Sequence, residues 1–430
     1  MNGKKTNLTI SPIRREWRFM LRQRYVVVLL LCSFLISAFA VITGLSEVSA
    51  QRQTIERLKQ ADNVDRIEAQ AKYDDPGYLA YYSFHLTYSE PSNLAFAALG
   101  ERDIYPWKHR IKMLALEGQI YESDAQNPEL AQTGKMDFAF VISALSPLFL
   151  ILLFHDLIAN ERTNGRHDFL VTTAKSSYAL WGARAAVRFM AIFSCLLLPF
   201  YIGALVSGTT ITNVLLVSLW CAIYFAFWTA LSLYLGKKAS SAPRIASGLI
   251  GLWALFAFVI PILGNLAINQ NVHSPKGSDI LLTQREAVND AWDLPVKTTM
   301  DAFSVTHPDY SDYQKNEEGF DWAWYYAFQQ VGDQVAAPLS IEYRDATFKK
   351  HQLAGYIAML SPPMLILKLI TSLAETDALA AYKYEQKIRD FHHSLRVFYY
   401  PWLFNPDAFD KTYLNRLPRF EHTQQNNPKL

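Results

Sequence analysis

The sequence predicts a mainly α, polytopic helical membrane protein, with five to six transmembrane helices and a composite, mostly helical domain on one side of the bilayer. Three observations predict it. The chain is 51% hydrophobic, yet its mean hydropathy is only +0.03, because apolar residues bunch into uncharged runs separated by charged stretches. Several runs approach or exceed the roughly 20 residues that cross about 30 Å of hydrocarbon. Lys and Arg also concentrate in the short loops between those runs.

The elements follow in chain order. Residues 1–24 form a basic arm in which Ile13, Trp17, Met20 and Leu21 share one helical face while Arg14, Arg15, Arg18 and Arg22 surround the other. With Glu16 among them, this reads as an interfacial helix lying on anionic lipid. Residues 25–46 carry no charge within the apolar run and are longer than the 7–15-residue apolar region of a signal peptide, so they read as a retained first span. Residues 47–137 form the first large polar segment. Residues 49–73 read as the first helix continuing out of the membrane on a thin stripe of Ile55, Leu58 and Ile67, stopped by Asp75-Pro76-Gly77. Tyr- and Phe-rich stretches follow at 78–88 and 94–99, and residues 104–121 read as a helix opened by Pro106, with a stop around Asn127-Pro128.

Residues 138–156 form a second span, adequate in length if His155 and Asp156 lie at the interface. A loop at 157–188 leads to spans at 189–207 and 210–235, a short turn at 236–244, and a span at 245–268. Residues 269–430 form the second large polar segment, with helices expected at 283–291, 322–335, 346–359 and 378–398. Within it, residues 353–374 have the length of a sixth span, but Pro362 and Pro363 interrupt it and Lys368 falls in its apolar part. A helix beginning near Pro362, interfacial or within the polar domain, is the favoured reading, with a sixth span as the alternative. The two polar segments fall on one side and are expected to pack as one domain, with Trp322, Trp324, Tyr325, Tyr326 and Phe328 as core.

Charge gives the orientation. Residues 1–24, 155–188 and 236–244 hold 15 of the 41 Lys and Arg against four of the 39 Asp and Glu, leaving 26 and 35 for the rest. The positive-inside rule therefore puts the N-terminus in the cytoplasm and both large segments on the far side of the membrane.

That cytoplasmic face is too small for a catalytic domain. No Gly-x-x-x-x-Gly-Lys-Ser/Thr loop is present, nor His-Glu-x-x-His, Gly-x-Ser-x-Gly or Cys-x-x-Cys. Cys32, Cys195 and Cys221 all fall in spans, so no exported disulfide and no metal site is expected. Nor does the near-neutral charge suggest nucleic acid. Adjacent His392 and His393 point about 100° apart on a helix, while His155 and Asp156 sit at a span end, where ionisable groups are costly. Residues 160–170, Asn160-Glu161-Arg162-Thr163-Asn164-Gly165-Arg166 and then Phe169-Leu170, read as a short helix and a glycine turn before a second helix at 176–188.

Here the residues carry a likeness. Glu16-Trp17-Arg18 in the interfacial helix, a long external segment after the first span, and Glu161-Arg162-x-x-Gly165 after the second together resemble permease subunits of type-2 ABC exporters (ABC-2 class). More narrowly, Pro91-Ser92, Gly100-Glu101-Arg102-Asp103, Pro106 and the closing Leu417-Pro418-Arg419-Phe420 resemble a branch with large periplasmic domains. The resemblance implies a second permease copy or a homologous permease, and two ATPase subunits that bind the ATP and Mg, with no cofactor in this chain. It makes Asn160, Glu161, Arg162, Gly165, Arg166 and Phe169 the coupling element to the ATPase. A last span usually follows the Pro-Arg-Phe stretch in that branch, so a six-span pattern needs either a further span or residues 353–374.

Two mechanisms fit: export between two permeases, or transmission of ATP-driven motion along the first helix to a periplasmic partner without transport. A reading from another class is a membrane-anchored periplasmic enzyme or sensor. The few charges in the spans disfavour a small-ion channel and leave lipids, peptides and hydrophobic metabolites open as cargo.

Overall fold

Four apolar helices of 26 to 31 residues follow the first helix pair, and they set the architecture. The computed structural model describes residues 10–122, 136–174, 176–237, 241–313 and 320–420. Lys4, Lys5, Lys175, Lys238 and the expected stop at Asn127-Pro128 lie outside the described residues.

Helix α1 (Ile10–Leu21) precedes α2 (Arg24–Lys72), a single helix of 49 residues. Four more long apolar helices follow: α5 (Phe138–Thr163), α7 (Ser177–Ser207), α8 (Ile211–Gly236) and α9 (Ala242–Asn271). These and α2 are long and apolar enough to cross a membrane, five in all among the described residues. The expected continuation of the first helix is present: α2 stays helical through residues 49–72 before Asp75 caps α3 (Pro76–Tyr82) by accepting from the Tyr78 N–H.

Two of the membrane helices contain a widened π turn, and sequence explains both. The turns Val141–Leu145 in α5 and Leu255–Val259 in α9 each end two residues before a proline, Pro147 and Pro261. A proline lacks an N–H and crowds the carbonyl one turn back, so the helix relaxes there. Neighbouring side chains satisfy the carbonyls this loosens. Tyr224 Oη donates to Ser143 O at 2.7 Å, Trp253 Nε1 to Ala144 O at 3.0 Å, and Ser361 Oγ to Phe256 O at 2.7 Å.

Residues 94–99 are a further structural feature. This apolar loop is wholly buried at the end of the bundle away from α1, wedged between Gly44 of α2 and Gly203 of α7. A Cβ on Gly44 would fall 2.0 Å from the Phe96 carbonyl oxygen, and one on Gly203 would fall 2.6 Å from the Phe96 ring. Phe96 also stacks near Phe200, which in turn stacks on Phe138 at 4.8 Å.

The polar domain joins both large segments, as expected. It contains the far half of α2, α3, a hairpin of β1 (His85–Tyr88) and β2 (Lys108–Ile111), and α4 (Leu116–Tyr121). The second segment adds α10 (Gly277–Asp290), α11 (Val296–Ser304), α12 (Trp322–Ala358) and α14 (Ala378–Phe404). One core spans them, from Ile55 and Leu79 to Phe303, Tyr326 and Tyr399. Trp324 and Phe328 are buried in a neighbouring cluster, as expected of core residues, while Trp322 and Tyr325 pack at its margin.

Two expectations are corrected, and at residues 353–374 the favoured start near Pro362 is found. Residues 104–121 are not one helix: β2 pairs antiparallel with β1, Ile111 opposite His85, and only the last six residues are helical. Residues 322–335 and 346–359 are not separate helices but parts of α12, which carries Pro338 inside it. Residues 353–374 are not one span: α12 ends at Ala358, the chain turns, and α13 (Pro362–Leu373) starts with Ser361 as its cap. Twelve residues rise only about 18 Å, short of the roughly 30 Å of hydrocarbon. α13 packs its Ile366 and Ile370 into the bundle core and rests on both π turns, and its Lys368 Nζ donates to His351 O at 3.1 Å.

Candidate functional site at the basic end

The end of the bundle that carries α1 concentrates the loops rich in Lys and Arg. Helix α1 turns inward through Glu16 and Met20, four residues apart and so on one face. Of the expected apolar face, only Met20 turns into the protein. Met20 is buried, but Ile13, Trp17 and Leu21 are exposed with Phe19, and the acidic Glu16, 5% exposed, takes the inner place. Arg14, Arg18 and Arg22 point outward, as expected of the basic face.

Glu16 is inside because Arg184 of α7 meets it. Arg184 Nε lies 3.1 Å from Glu16 Oε2, and its Nη1 donates to Glu161 Oε1 at 3.0 Å. Glu161 also accepts from Arg166 Nε at 2.8 Å, and Arg15 pairs with Glu16 at 3.2 Å. Charges therefore alternate along Arg15, Glu16, Arg184, Glu161 and Arg166, binding α1, the start of α7 and the end of α5 into one unit. The Arg184 guanidinium also lies over the rings of Phe19 and Trp181. Alternation matters because a buried ion is stable only when its charge and its hydrogen-bonding atoms are matched.

A second set lies deeper. Arg188, one helical turn beyond Arg184, is 3.5 Å from Asp156, donates to Gln23 Oε1 at 3.1 Å, and donates to the Leu153 carbonyl. Tyr25 Oη donates to Asp156 Oδ2 at 3.0 Å. Asp156 thus has partners from two helices, whereas His155 Nδ1 faces only its own Ile151 carbonyl at 3.0 Å. The two sets line one open cleft.

The six residues of the expected coupling element divide into two groups. Glu161 is buried and paired within the chain, and Arg162 donates to the Gly236 and Lys237 carbonyls at 3.3 and 2.8 Å, capping the end of α8. Their side chains therefore brace the loop. Asn160 accepts from Asn164 and is exposed. Gly165 adopts φ +67°, a left-handed turn that glycine enters without strain, with open space where a Cβ would be. Beyond it, α6 (His167–Thr173) has no buried residue. Phe169 is 68% exposed there, and the stacking of His167 on Trp181 at 5.9 Å ties the helix to α7.

Arg184 and Arg188 were missed as site residues. Their signal was present: two arginines spaced i, i+4 at the threshold of an apolar run, where a charge needs a named partner. No group of three or more His, Cys, Asp or Glu side chains able to hold a metal occurs among the described residues. The arrangement is an ion-paired base that presents a short, unburied helix.

Residues 280–423 match a family described only as a domain of unknown function (DUF3526), which covers about a third of the chain. No curated protein matches, and no solved structure matches.

Proposed function

We propose that this chain is the transmembrane permease subunit of an ATP-binding-cassette exporter of the bacterial inner membrane. In this reading its basic end is cytoplasmic, its polar domain periplasmic, and ATP with Mg is bound by two separate ATPase subunits beneath a pair of permeases. The observation that carries it is α6. A seven-residue helix with no buried side chain, an exposed phenylalanine and a braced base has the form of a docking element. Asn160, Gly165, Arg166 and Phe169 supply the surface that meets the ATPase, while Glu161 and Arg162 hold that surface in place.

The test is co-expression with the ATPase of a neighbouring reading frame and purification of the assembly. Phe169→Asp should abolish co-purification while leaving the permease folded in detergent. An unchanged complex with unchanged ATP turnover would rule out α6 as the coupling element, and the absence of any copurifying ATPase would remove the reading itself.

A second reading is supported by α2. Because one unbroken helix runs from the basic end into the polar domain core, ATP-driven movement of the bundle can reach a periplasmic partner without cargo crossing. Cargo-independent ATP turnover that changes the activity of that partner would favour it over export.

A further inference from the structure

We infer that the polar domain carries a binding pocket for an oxyanion group, carboxylate or phosphate, between the far half of α2, strand β1 and the chain segment that closes the domain. The pocket is an open cleft lined by Lys59, Asp62 and Arg66 of α2, His85 of β1, and Arg419 with Phe420.

His85 points to a ligand. It is 1% exposed, and neither ring nitrogen has a hydrogen-bond partner, although its ring packs edge-on against Phe391. Leaving a buried polar atom unmet is costly, so such a side chain needs a reason. His392, buried to the same degree, is met, its Nε2 facing Lys112 O at 3.1 Å, while half-buried His109 meets Tyr384 Oη through Nδ1 at 3.2 Å and leaves only Nε2 unmet. His85 differs from them in facing a cavity.

Charge specifies the ligand class. Three cations, Lys59, Arg66 and Arg419, line the pocket against one carboxylate, Asp62. Asp62 is partly committed, since it accepts from the Leu86 N–H at 2.9 Å, and Lys59 pairs with Glu90 at 3.4 Å on the rim. Burial depresses the proton affinity of both Arg66 and His85, the latter to about 3, so His85 is neutral and offers one N–H donor. Two guanidinium groups and one imidazole N–H suit the planar or tetrahedral oxygens of a carboxylate or phosphate. Phe391 and Phe420 supply an apolar wall.

Distance bears on the source. Lys59 and Arg66 lie 13 and 20 residues beyond Ser46 on one helix, so about 20 and 30 Å past the apolar run. A lipid headgroup resident in the bilayer is out of reach, which leaves a soluble anion or a molecule already withdrawn from the membrane.

The test uses the full chain purified in detergent. Its melting temperature is followed against inorganic phosphate and, separately, acetate, with sodium chloride at matched ionic strength as reference. A saturable rise with either probe that chloride does not give is expected, because a ligand of the folded state alone stabilises it by mass action. The rise should be at least tenfold right-shifted in concentration in Arg419→Gln, a rim variant, and in His85→Gln. Addition of phosphatidylglycerol vesicles should not compete with the probe, and competition would assign the site to lipid instead. Shifts identical to those with chloride, or unaltered in Arg419→Gln and His85→Gln, would overturn the proposal.

Discussion

Glu117 and Arg389 are 272 positions apart in the chain, yet their side chains meet in two hydrogen bonds, Nε to Oε1 at 2.8 Å and Nη2 to Oε2 at 3.0 Å. Ser340 Oγ adds a third at 2.8 Å, and Tyr121 Oη accepts from the same guanidinium at 3.1 Å. Burial alone would raise the Glu117 carboxyl; Arg389 outweighs it and holds the group below its usual range. One residue comes from the segment before the second membrane helix and the other from the segment after the fifth.

The pair is a clasp between those segments, and breaking it should be costly. Arg389→Met is expected to destabilise the polar domain by roughly 3–5 kcal/mol, since it leaves a buried carboxylate without its cation. Combining it with Glu117→Leu should recover most of that loss. Thermal unfolding of the single and double variants measures both effects, and equal losses in the two would refute the clasp.

The neighbouring pair behaves alike in geometry. Asp333 accepts from Arg396 Nη2 at 2.6 Å and from the N–H groups of Leu116 and Glu117 at 2.8 to 3.1 Å, so it also caps α4. Asp333→Asn keeps the shape but loses the charge. A loss of about 2 kcal/mol or more is expected, with protection of the Leu116 and Glu117 amides from hydrogen exchange falling first.

Acid should destabilise the domain well above the carboxylate range. Burial lowers the folded-state pKa of His85 to about 3 and of His109 to about 4, and holds His392 well below 6.5. The unfolded chain then binds more protons below pH 6.5, so stability is complete above that pH and is lost as pH falls toward the folded values. From pH 7 to 5, His85 alone accounts for roughly 2 kcal/mol. Asp333 and Glu385, whose carboxyls burial raises, act in the opposite sense. The slope of melting temperature against pH should flatten in His85→Gln, and an unchanged slope would show that this ring is not buried neutral.

At the basic end, Arg184→Gln should release α1. Glu16 and Glu161 would then face each other without the intervening cation, and trypsin should cut at Arg14, Arg15 or Arg18 at least several-fold faster. Resistance equal to that of the unaltered protein would argue that α1 is held by Met20 and the lipid alone. Arg184→Gln with Glu161→Gln should restore part of the protection.

Gly44→Ala should be among the most damaging single methyl additions. The new Cβ would lie 2.0 Å from a backbone oxygen in a loop that has no room to retreat. Poor folded yield with a normal Gly182→Ala control, where the space is open, checks it.

What the sequence revealed divides by the range of the physics. The apolar runs, the extension of α2 through residues 49–72, and a helix starting at Pro362 were legible, because length, helix formers and proline act locally. The β hairpin was not: Lys108, His109 and Arg110 do not alternate in polarity, and only pairing with residues 85–88 makes them a strand. Residues 322–335 and 346–359 read as two helices, whereas the packing of α12 carries one helix through Pro338 between them. Within the candidate site, the exposed turn at Gly165 was legible from its glycine. The inward position of Glu16 was not, since it depends on Arg184, 168 residues away. Glu161 and Arg162 looked like an outward surface for the same reason, until Arg184 and the carbonyls of Gly236 and Lys237 are brought to them by the fold.

The seat of Gly44 against the Phe96 carbonyl makes that level of α2 a fulcrum. Lys72 stands 28 residues farther along the same helix, about 42 Å away. A tilt of only about 5° at the fulcrum sweeps the distal end through about 4 Å, comparable to the shifts by which packed helices change state. The shorter arm from Gly44 back to Arg24 moves about 3 Å the other way. A modest rocking imposed at the basic end would thus arrive in the polar domain with a gain above one and its sense reversed.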